Sequence, residues 1–76
     1  MSESKAIGSL IFDVESGRYD IRFSLETYYG GLHCGECFDV LVKEVWVPVR
    51  IEMSMEQQWY LVGLPTRSLD GLVVRI

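Results

Sequence analysis

Alternation dominates the first third of the chain. Leu10, Phe12 and Val14 fall on one side of an extended run, while Asp13 and Glu15 face away. Glu15-Ser16-Gly17 follows as a turn, with a glycine able to take the positive φ of a tight reversal. Tyr19, Ile21 and Phe23 then alternate with Arg18, Asp20 and Arg22, the period of two expected of a half-buried strand. The pattern predicts a β-hairpin.

Residues 25–36 carry no sustained period and include Gly30, Gly31 and Gly35, so this segment reads as a loop. Alternation resumes at Cys37, with Phe38, Val40 and Val42 on one face and a tight turn at Lys43-Glu44. Val47, Val49, Ile51 and Met53 then oppose Trp46, Arg50 and Glu52; Pro48, which donates no ladder hydrogen bond, marks an edge or bulge. A polar connection over 54–57 leads into the strand Trp59-Tyr60-Leu61-Val62. An irregular or 3₁₀ crossing over 64–69, a turn at Asp70-Gly71 and a last strand over 72–76 complete the pattern. The expected fold is all-β: a small antiparallel SH3-like barrel of about five to six short strands. An open meander is the competing arrangement. Closure hides strand edges, which an apolar domain of this size needs to stay soluble.

A chain of 76 residues makes one domain, expected over residues 6–76 after a disordered segment at 1–5. Domains this small often carry a staple such as a disulfide or a metal. Eleven acids against seven bases argue against direct nucleic-acid binding and suit a basic protein partner. The sequence contains no apolar run long enough for a membrane span and no signal-peptide start, so the expected compartment is the cytoplasm, where thiols stay reduced.

In that compartment Cys34-Gly35-Glu36-Cys37 points toward metal. Two intervening residues let both sulfurs bend onto one ion, and the glycine tolerates the turn. Thiolates hold Zn²⁺ strongly, and His33 offers an imidazole beside Cys34. A tetrahedral structural site needs a fourth ligand from a carboxylate or a second chain. Asp13, Asp20, Glu26, Glu36 and Asp39 are the candidates, and the expected set is His33, Cys34, Cys37 and Asp13. The plainer alternative is a pair of small buried cysteines beside a hydrogen-bonded histidine. Neither a redox βαβ setting nor a second histidine for catalytic zinc is present in the sequence.

Trp59 is expected to fill the core, leaving Trp46, Tyr28 and Tyr29 as contact residues, with Glu36 and Asp39 supplying negative charge to the same partner-binding surface. A nucleophile with its base, a phosphate-cradling loop and a cofactor fingerprint are all missing from the sequence, so no enzyme is expected.

Gly17-Arg18-Tyr19-Asp20-Ile21-Arg22, Tyr28-Tyr29-Gly30-Gly31-Leu32-His33-Cys34-Gly35, Trp59-Tyr60-Leu61-Val62-Gly63 and Leu69-Asp70-Gly71-Leu72 together resemble a small domain family of Gram-positive bacteria, their prophages and conjugative elements. The likeness covers nearly the whole chain, and the His-Cys-Gly loop is its most specific part. Small acidic prophage proteins of this kind are similar to type II anti-CRISPR proteins. The resemblance therefore implies an inhibitor that binds the basic channels of an RNA-guided Cas nuclease and blocks target DNA loading or cleavage. A non-inhibitory zinc-binding interaction module of a mobile element is the competing expectation, and a zinc hydrolase the third.

Overall fold

A computed structural model describes residues 5–76. Six strands form in chain order: β1 (Ile7–Asp13), β2 (Arg18–Arg22), β3 (Cys37–Val42), β4 (Val45–Met53), β5 (Trp59–Val62) and β6 (Val73–Arg75). They make one sheet in the order β2-β1-β6-β3-β4-β5, with every neighbouring pair antiparallel. The all-β architecture and its two clearest hairpins follow the alternation in the sequence. The expected disorder at residues 1–4 lies outside the described residues, and Lys5 reaches Asp39 at 3.2 Å.

The buried face comes from the alternating apolar positions. Leu10 stands opposite Ile21, Phe38 opposite Val49, Val40 between Val47 and Val74, and Ile51 opposite Leu61. All of these except the half-buried Val47 belong to the core, which Leu32 and Leu69 complete from the loops. Gly8 faces Val74, and no other residue fits there: a Cβ would lie 2.5 Å from the Arg22 carbonyl oxygen and 2.7 Å from Ile21 Cγ2.

The sheet curls without closing into a ring. The outer edge of β2 is already occupied by the loop that follows it, through Phe23 N to Thr27 O (2.8 Å), Tyr29 N to Ile21 O (2.8 Å) and Leu32 N to Tyr19 O (2.8 Å). With those groups satisfied, β5 has no backbone ladder to join. The two ends of the sheet meet instead through a side chain, Trp59 Nε1 donating to Gly17 O at 3.1 Å. Trp59 accordingly packs half-buried against the core and does not fill its centre.

Candidate functional site

The glycine-rich segment is held by carboxylates. Gly30 and Gly31 have φ of 113° and 99°, a region that costs side-chain-bearing residues dearly. This conformation turns both amides onto Asp20 Oδ1, each at 2.9 Å, and the same oxygen accepts from Ile21 N at 2.8 Å. Arg18 donates to Leu32 O at 3.3 Å, and the Leu32 side chain is fully buried. Asp20 thus fastens the loop to β2 where the sequence offered it only as a candidate metal ligand.

Glu36 fastens the far end. Its carboxylate accepts from the Tyr29 hydroxyl and from His33 N at 2.8 Å, with His33 Nδ1 at 3.4 Å. Burial alone would raise this carboxyl, but the hydrogen bonds from Tyr29 and His33 outweigh it and hold Glu36 below its ordinary value. The Tyr29 phenol is raised in turn, first by its bond to Glu36 and then by burial. Residues 33–36 close a turn, Glu36 N donating to His33 O at 3.1 Å. Gly35 N to Ile51 O (2.8 Å) and Ile51 N to Glu36 O (3.0 Å) lock that turn onto β4.

The four expected zinc ligands do not meet. His33 and Asp13 line one groove, with Arg18 and Asp20, whereas Cys37 lines another, with Lys5, Asp39 and Arg50. Asp13 Oδ1 accepts from Glu15 N at 3.1 Å, which fixes it in the β1–β2 turn. Cys34 and Cys37 are both free and exposed, unlike the buried pair of the plainer alternative. Among the described residues no three His, Cys, Asp or Glu side chains converge. The residues of one chain therefore do not assemble this set.

On the outer face of the sheet, Arg75 of β6 links two of the expected contact residues. Its guanidinium carbon sits 4.4 Å from the centre of the Trp46 ring, and its Nε donates to Asp39 Oδ2 at 2.9 Å. Lys5 reaches the same oxygen at 3.2 Å. Asp39 is held below its ordinary value, chiefly by the Arg75 hydrogen bond and then by Lys5, against the opposing effect of burial. The ladder sets Val73 beside Ser9, Asp39 beside Pro48 and Leu41 beside Trp46, so Trp46 and Arg75 share this face with Val73 and Leu41. Tyr28 lies apart, lining a groove with Phe12 and Val14, and Tyr29 is committed to Glu36.

The model of a Domain of unknown function (DUF5348) matches residues 8–76. The chain belongs to the DUF5348 family. A crystal structure of a protein from Ruminococcus gnavus, a Gram-positive bacterium, is similar to this DUF5348 domain at 68% identity with a TM-score of 0.87. The match covers 92% of this chain and 99% of that one. None of the curated proteins matches it. Among the described residues of this DUF5348 domain, no helix is long and apolar enough to cross a membrane.

Sequence reasoning missed Arg75 and the role of Asp20. Arg75 was legible as the polar position of a last strand, but nothing local announces that this strand lies beside β3 and brings the guanidinium over Trp46. For Asp20 a signal existed. A carboxylate on the strand before a Gly-Gly pair is suited to accept the two amides that positive φ turns outward.

Proposed function

We propose that this DUF5348 chain is a non-catalytic protein-interaction domain whose contact surface is the outer sheet face around Trp46. The arrangement of Trp46 under Arg75 carries this reading. An aromatic ring and a guanidinium, held in register by strand pairing and by Asp39, form a rigid amphipathic patch of the composition found at interface hot spots. The Glu36 and Asp39 carboxylates serve the domain's own architecture, so the patch recognises its partner by stacking and apolar contact.

The narrower form of the reading, that the partner is a type II RNA-guided nuclease and the domain an anti-CRISPR inhibitor, draws on the family resemblance and on the surplus of acid. Glu15, Glu26, Glu44, Glu56 and Asp70 lie in turns and loops and enter no ion pair among the described residues. These acids would face the basic channels of such an enzyme while Trp46 anchors the complex.

One experiment addresses both levels. The domain and its Trp46→Ala variant are compared as baits in a Gram-positive lysate, and each is added in excess to a guide-loaded type II nuclease cutting plasmid. The proposal expects a protein captured by the parent and lost by the variant, and it fails if the two baits retain the same set. Nuclease inhibition expects cleavage slowed by the parent alone. Unchanged cleavage across several nucleases removes that narrower form and leaves the module.

A further inference from the structure

The turn at residues 33–36, which carries Cys34 and leads directly into Cys37 at the start of β3, is firmly built. Its fastenings are Glu36 N to His33 O, Gly35 N to Ile51 O, Ile51 N to Glu36 O and the Glu36 carboxylate to Tyr29 and His33. None of them uses sulfur. Cys34 and Cys37 are the only cysteines of the chain, and both stand free and exposed, Cys34 on this anchored turn and Cys37 at the first position of β3. The Cys37 thiol donates back to Gly35 O, at 3.8 Å, across the end of this turn.

Among the described residues no third His, Cys, Asp or Glu side chain joins these two sulfurs. His33 Nδ1 is engaged by Glu36, and Asp13 is tied into its own turn on a different groove. Two sulfurs at this spacing supply half of a tetrahedron, and structural Zn²⁺ takes four ligands.

We propose that Cys34 and Cys37 form half of an intermolecular zinc site, completed by the same two cysteines of a second copy of this chain. The ion lies on a twofold axis, so each copy presents the same turn to the other. Assembly breaks four S–H bonds and forms four Zn–S bonds. The four protons pass to solvent, and no atom changes oxidation state.

The test titrates the reduced, chelator-treated full chain with Zn²⁺ while following metal uptake and mass by sedimentation. The expected result is saturation at one Zn²⁺ per two chains, with the mass doubling as the metal binds and halving again with EDTA. Proton release into weakly buffered solution should track uptake. Cys34→Ser and Cys37→Ser should stay monomeric in Zn²⁺. Because both side chains are exposed, their metal-free melting curves should match the parent's, which separates lost binding from lost folding. Saturation at one Zn²⁺ per monomeric chain, or uptake no greater than that of the serine variants, would overturn the proposal. Trp46→Ala should bind zinc normally, so failure here and failure of the interaction surface are distinguishable.

Discussion

Asp39 shows how a single carboxylate organises one face of this sheet. Arg75 and Lys5 both donate to its Oδ2, and Arg75 in turn covers Trp46. Because these partners depress its folded pKa below the ordinary 3.8, its contribution to stability is complete above that value and is lost as pH falls through the lowered one. Asp39→Asn should therefore flatten the acid limb of a melting-temperature profile, with the parent and variant curves converging below the folded pKa. An unchanged acid limb would show that the Arg75 contact holds no linkage energy. Asp39 was legible as a charge on the polar face of a strand. Its partners were not, because one follows thirty-six residues later in the chain.

At the level of the element, the β3–β4 hairpin was legible from two alternating runs on either side of two polar residues. The structure adds that Lys43 and Glu44 have φ of 48° and 70°, with Val42 paired to Val45. This is the handedness that a two-residue connection requires, adopted by residues that gain nothing from it. Replacing Lys43-Glu44 with Asn-Gly should stabilise the domain by about 1 kcal/mol, read as a higher denaturant midpoint at constant slope. No gain would mean that the two native side chains make contacts outweighing the backbone strain. Less legible was the glycine segment. Its missing period correctly indicated a loop, but the cysteine spacing drew attention to sulfur, whereas Asp20 and Glu36 hold the backbone.

Across the whole molecule, local pattern predicted the strands but not their order. Period-two alternation reports which face of a strand is buried and is silent about its neighbour, so the insertion of β6 between β1 and β3 could not be read. Ring closure was inferred from the need to hide edges, and the loop over 27–32 meets that need at β2 by pairing with it. The remaining link between the ends is the Trp59 indole on Gly17 O. Trp59→Phe keeps the apolar packing and removes that donor, and should cost about 1 kcal/mol. Amide exchange should quicken in the β1–β2 turn; exchange unchanged there would show that the ends do not depend on one another.

The central position of β6 bears on how the fold is reached. The hairpin of β1 and β2 and the meander of β3, β4 and β5 share no strand ladder, and Val73–Arg75 is the strand that pairs with both. During translation both pieces emerge before the segment that unites them. Either can organise early, but cooperative collapse must wait until that three-residue splice has cleared the ribosome.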